Sequence, residues 1–99
     1  MMKTLPLDEH TAAHVADLFS AFSDTTRVRI ISAIIDQEMK ISDLSELFGL
    51  TESAISHHMR GLRHLKIVQA RRDGKEIFYS IVDSHLIALF RQGIDHVKE

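Results

Sequence analysis

The stretch SDLSELFGLTESAISHHMRGLRHLK, residues 42–66, decides how the chain is read. Its apolar positions recur every three or four residues, the spacing of an amphipathic helix. Gly49 falls just past a short first helix over 42–48, where a left-handed residue suits a helix end, and Ser42 offers that helix an N-cap. Thr51 offers the N-cap of a longer helix over 52–66. A short helix, a tight glycine-containing turn and a longer helix make a helix-turn-helix unit.

Downstream, the period changes. Residues 67–71 and 76–82 are rich in β-branched and aromatic side chains, and Asp73-Gly74 between them is a hairpin turn signal. A last amphipathic helix runs from about residue 84, capped by Asp83 or Ser84. Upstream, Val15, Leu18, Phe19 and Phe22 recur at helical spacing over 8–22, and Asp24 caps a second helix whose isoleucine-rich run reads as buried on several sides. The expected fold is mainly α with a small β-hairpin: a winged helix-turn-helix that dimerises through its first and last helices. Residues 1–99 form a single domain on this reading.

Composition narrows the chemistry. The 99 residues carry 44% hydrophobic and 26% charged side chains, as an ordinary globular chain does. No apolar run is long enough to span a bilayer, and the Asp- and Glu-bearing N-terminus does not read as a signal peptide. The absence of cysteine excludes disulfides, thiolate metal sites and thiol nucleophiles. A net charge of -2 hides a strong segregation. Residues 1–52 carry four Lys/Arg against nine Asp/Glu, whereas residues 53–75 carry six against Asp73 alone. A basic block of that kind, concentrated on one face, is an electrostatic footprint for phosphates.

That face can be located. On a helical wheel of 52–66, Ser53, Ser56, His57, Arg60, Arg63 and His64 fall together, opposite Ile55, Met59, Leu62 and Leu65. Small hydroxyl side chains permit close approach to a major groove, and arginine forks onto guanine or phosphate. Arg71, Arg72 and Lys75, near the hairpin tip, are placed to grip flanking backbone. Either helix arginine alone would read as a solvated surface charge. An acid-free face beside a basic wing reads as a DNA contact. His58 points the other way, as a half-buried, hydrogen-bonded histidine, and His64 reads as surface.

The last helix carries a second pattern, Asp83-x-His85 and, ten residues on, His96-x-x-Glu99. His85, His96 and Glu99 share one helical face with Leu89 and Gln92, and Gly93 borders it. Eleven residues of helix separate the two histidines by roughly 16 Å, against metal–ligand bonds of about 2 Å. One chain therefore cannot close the site. Two copies of the helix packed antiparallel can, with Leu89, Gln92 and Gly93 at the seam and two equivalent sites per dimer. Two imidazoles and two carboxylates make a full tetrahedral shell for Zn²⁺, with Co²⁺ a plausible substitute. A full shell leaves no open position, so the role is structural or regulatory rather than catalytic. The bland alternative makes His85 and His96 ordinary interface residues. His10 and His14, four residues apart in the first helix, read as a surface pair that could also ligate metal.

The run Glu52-Ser53-Ala54-Ile55-Ser56-His57-His58-Met59-Arg60, the Arg71-Arg72-Asp73-Gly74-Lys75 wing and the Asp83/His85/His96/Glu99 pattern together resemble the ArsR/SmtB family of metal-sensing repressors, in its zinc-responsive branch. The resemblance implies a cytoplasmic bacterial homodimer that binds an imperfect inverted repeat and leaves it when zinc binds, derepressing an efflux or sequestration gene. It implies operator contacts from Ser53, Ser56 and His57. It also implies that the non-ligating nitrogen of His96 hydrogen-bonds toward backbone near Lys66. The Cys-x-Cys pair of thiolate-sensing members has no counterpart here, because the matching run is Lys40-Ile41-Ser42-Asp43-Leu44.

Three other readings stand beside this one. The first is a DNA-binding repressor whose last helix is only a seam, without metal response. The second is a winged-helix module that binds protein alone. The third is a metallohydrolase, for which no His-Glu-x-x-His signature or nucleophile arrangement is present. The chain is therefore expected not to be an enzyme.

Overall fold

The computed structural model describes residues 5–99. In chain order it contains α1 (Glu9–Ala21), α2 (Thr25–Ile34), β1 (Met39–Lys40), α3 (Ile41–Phe48), α4 (Glu52–His64), β2 (Gln69–Asp73), β3 (Glu76–Ser80) and α5 (Ser84–Lys98). Four helices begin where a short polar side chain satisfies an orphan amide. Asp8 accepts from the Thr11 N–H, Asp24 from Arg27, Thr51 from Ala54, and Asp83 from both His85 and Leu86. Among the described residues, no helix is long and apolar enough to cross a membrane.

α3 departs from the expected start. Lys40, not Ser42, is its N-cap, and no side chain caps it. The cause is a strand too short to read from sequence. Met39 and Lys40 pair with Tyr79 and Phe78, so the chain passes directly from β1 into the helix. Buried Ile41 opens the helix and Ser42 falls in its first turn. At the other end Gly49 takes the left-handed conformation, φ 64°, and the Leu50 N–H reaches back to the Ser45 carbonyl at 3.1 Å.

The wing is a three-stranded antiparallel sheet in the order β1-β3-β2. Asp73 pairs with Glu76, so the two-residue turn is Gly74-Lys75, one position later than expected. The strands shift with it. Ile67 and Val68 lie outside β2 and are buried instead, while Val82 lies beyond β3 and is exposed. Lys66 accounts for the late start of β2. It adopts φ 61°, and the Ile67 N–H donates to the Leu62 carbonyl at 2.8 Å, which turns the chain back beneath α4.

The core is built by α2, α3, α4 and the sheet. Ile30, Ile31, Ile34, Leu44, Ile55, Met59 and Leu62 are buried with Tyr79. The isoleucines of α2 are buried as expected, but Leu65, expected in the core, is exposed at the end of α4. α1 buries only Ala21 and α5 only Phe90, whose ring meets Phe22 at 5.9 Å. These two helices extend the protomer to 58 × 32 × 21 Å with a radius of gyration of 15.6 Å. A compact chain of this length has about 13 Å. Val15, Phe19 and Val97 thus keep apolar surface that one chain does not cover.

A non-glycine residue held in the left-handed region costs energy that glycine escapes, although glycine loses more entropy on folding. Lys66→Gly is therefore expected to raise the urea midpoint, by about 0.5 kcal/mol of stability. An unchanged or lowered midpoint would contradict the conformational assignment.

Candidate functional site

Helix α4, the helix expected to contact DNA, is positioned from beneath. Ile55, Met59 and Leu62 are fully buried. Ser53, His57, Arg60, Arg63 and His64 are exposed on the opposite side, and Ser56 is half-buried at the edge. His58 turns inward as expected, with Nδ1 3.6 Å from Asp24 Oδ2. The same oxygen accepts the Arg27 N–H at 2.9 Å, so one carboxylate caps α2 and faces α4. Nothing local in the sequence marks that joint, since Asp24 and His58 lie far apart along the chain.

Arg60, Arg63, Arg72 and Lys75 are exposed and form no ion pair among the described residues. Arg71 differs from them. Its Nε donates to Glu38 Oε2 at 3.0 Å and its terminal nitrogen to Oε1 at 2.7 Å, a two-pronged pair. Its guanidinium also lies 4.4 Å from the Phe78 ring centroid. Arg71, expected at the DNA backbone, ties β2 to the segment before β1 through this pair, with its side chain still half exposed. Sequence reasoning missed Glu38 because its partner is 33 residues away. The hydrogen bonds from Arg71 hold the Glu38 carboxyl below its ordinary value of 4.5, and Glu38 raises Arg71 in turn.

The four candidate metal ligands fall into two exposed pairs at opposite ends of α5. Asp83 Oδ1 lies 3.5 Å from His85 Nδ1, and Glu99 Oε2 lies 3.8 Å from His96 Nδ1. A tetrahedral ion with bonds of 2.0–2.1 Å holds neighbouring donors about 3.3 Å apart. Each pair is spaced near one edge of such a shell, and Asp83 Oδ1 serves at the same time as the N-cap oxygen, accepting the His85 and Leu86 N–H groups. Among the described residues no group of three potential ligands stands within reach of one ion, so neither pair is completed inside the chain. Along the C-terminal half of α5, Phe19, Phe22, Leu89, Gln92, Gly93 and His96 line an apolar groove where α1 meets α5. A Cβ on Gly93 would meet nothing within 4 Å, so this chain's own packing does not require glycine there.

Comparisons with known proteins agree with this architecture. The profile described as bacterial regulatory protein, arsR family, matches residues 24–70, from the cap of α2 into β2. A transcriptional repressor SmtB homolog of Synechocystis sp. is 38% identical over 97 residues, covering 98% of this chain and 72% of the relative. The solution structure of apo-NmtR matches with a TM-score of 0.79 at 34% identity, over 99% of this chain and 82% of that one. A homodimeric winged helix-turn-helix DNA-binding domain from Mycobacterium bovis shares the fold, with a TM-score of 0.87 at 20% identity, over 100% of this chain and 92% of that one.

The Glu38–Arg71 pair gives a test in acid. A carboxylate held below 4.5 contributes fully above that pH, and its contribution is lost as pH falls through the lower folded value. Carboxyl carbon NMR is expected to show Glu38 titrating below 4.5 in the wild type and returning toward 4.5 in Arg71→Gln. Equal titration in the two proteins would remove the pair from solution.

Proposed function

Because this chain belongs to the arsR family of bacterial regulatory proteins, we propose that it represses transcription from an operator and is released by zinc. It is a transcriptional regulator of the winged helix-turn-helix kind, not an enzyme, and as such binds DNA as a homodimer. The zinc response and the residues below are the proposal.

On the DNA side, Ser53, Ser56, His57, Arg60 and Arg63 enter the major groove from α4, and Arg72 and Lys75 grip backbone beside it. Arg71 is left out of the grip and is assigned to holding the wing. This distinction is measurable in salt. Each phosphate neutralised contributes about 0.9 to the slope of log affinity against log salt for duplex DNA. Arg72→Ala is expected to flatten that slope by about 0.9 per protomer. Arg71→Ala should weaken binding with less change of slope, because the charge it removes is already balanced by Glu38. Equal flattening in the two variants would return Arg71 to the interface.

On the metal side, the carrying observation is the spacing within each pair, 3.5 Å for Asp83–His85 and 3.8 Å for His96–Glu99. Two such half-shells from antiparallel α5 helices supply two nitrogens and two oxygens, a donor set suited to Zn²⁺ and accessible to Co²⁺. Softer thiophilic ions gain nothing here, because the chain has no cysteine. Metal bound across the seam favours one mutual orientation of the two reading heads. If that orientation misplaces the half-sites, operator affinity falls, and operator lowers zinc affinity by the same factor. The free nitrogen of His96 is the proposed route toward the backbone near Lys66.

An operator-binding titration at fixed salt tests the proposal. Zinc is expected to weaken wild-type binding by 5-fold to 150-fold, roughly the usual range of allosteric coupling, and to leave His96→Ala and Asp83→Ala unaffected. An unchanged zinc response in both variants would exclude α5 from the mechanism and favour a repressor whose last helix is only a dimer seam.

A further inference from the structure

Away from α5, the described residues bring a pair of histidines together on α1. On α1 the rings of His10 and His14 lie one helical turn apart, with centroids 4.4 Å from each other. Nδ1 of His14 is 2.8 Å from the His10 carbonyl oxygen. A carbonyl can only accept, so Nδ1 donates here, and in the neutral ring the Nε2 lone pair is the one left for a metal. Histidines that bind metals are commonly oriented in this way, by donating the other ring N–H to a backbone carbonyl. Both rings are exposed, and Asp17 lies on the same helical face one turn on.

The electrostatic setting favours a cation. Between Lys3 and Arg27 the sequence holds no lysine or arginine, while Asp8, Glu9, Asp17 and Asp24 all fall in that interval. The two imidazoles are thus the only basic side chains of an acidic helix. We propose that His10 and His14 form a second divalent-metal site, a bidentate chelate completed by water, for ions that imidazole suits such as Zn²⁺, Ni²⁺ or Cu²⁺. With two protein ligands it binds more weakly than a four-ligand shell and exchanges its metal with solvent. The site is separate from α5 and does not rest on the zinc response proposed above. The ring contact alone would equally suit an aromatic pair without metal, and the test separates the two.

The test uses tag-free His85→Ala/His96→Ala protein, in which both α5 pairs are broken, titrated with zinc alone. Long-range proton–nitrogen NMR reads each imidazole nitrogen separately. Zinc is expected to shift Nε2 of both His10 and His14, and equilibrium dialysis to find about one zinc per protomer at saturation. Adding His10→Gln and His14→Gln is expected to abolish the bound zinc while circular dichroism stays unchanged. Unmoved His10 and His14 resonances at saturating zinc would overturn the proposal. So would zinc binding that survives both glutamine substitutions. Neither result would bear on the α5 site, which this background already lacks.

Discussion

Fifteen residues of unbroken helix hold the two ends of α5 apart, and the functional arrangement depends on that rigidity. At 1.5 Å per residue the helix spans roughly 22 Å. Asp83 and His85 at its start therefore never meet His96 and Glu99 at its end within one protomer. The same helix, with α1, leaves an apolar groove that the protomer does not fill. Covering it with a second protomer satisfies the hydrophobic surface of both chains. In an antiparallel arrangement, it also brings unlike ends of two α5 helices together. Dimerisation and completion of the proposed metal shell are then one geometric event.

A seam can control DNA binding only if each reading head moves as a unit. Two polar contacts contribute to that rigidity. Asp24 caps α2 while facing His58 of the reading helix, and Glu38 binds Arg71 of the wing with two hydrogen bonds. Beneath them, Ile55, Met59 and Leu62 fix the rotation of α4 about its axis. Exposed ion pairs of this kind are worth little individually. Their value here is geometric, since each joins elements distant in sequence. Charge segregation adds to this: outside residues 53–75 acidic side chains outnumber basic ones, and within them basic side chains dominate.

Much of this was legible because local rules were obeyed. Asp24, Thr51 and Asp83 are short polar residues placed before periodic apolar runs, and each caps the helix that follows. Gly49 sits where only a residue tolerant of positive φ ends a helix cheaply. The failures trace to long-range causes. Strand β1 is two residues long and exists only because Tyr79 and Phe78 pair with it. Without it, Ser42 looked like the natural cap. Lys66 carries no sign of its left-handed conformation, so the sequence alone starts the strand at Ile67 and places Leu65 in the core. The partner of Arg71 is hidden for the same reason. The four candidate ligands of α5 are visible as a pattern, but the separation within each pair is apparent only with side chains in place.

The central claim is that one metal shell is shared between two chains, and subunit mixing tests it most directly. One variant carries Asp83→Ala and His85→Ala; the other carries His96→Ala and Glu99→Ala. Each alone forms dimers in which every shell lacks two ligands, so neither should hold zinc at α5. In the mixed dimer, one shell draws its intact start from one protomer and its intact end from the other. In the isolated mixed dimer, zinc binding at α5 should therefore reappear at half the wild-type stoichiometry. A mixed dimer that binds no zinc there, or a single variant that retains the wild-type amount, would contradict a site shared across the seam.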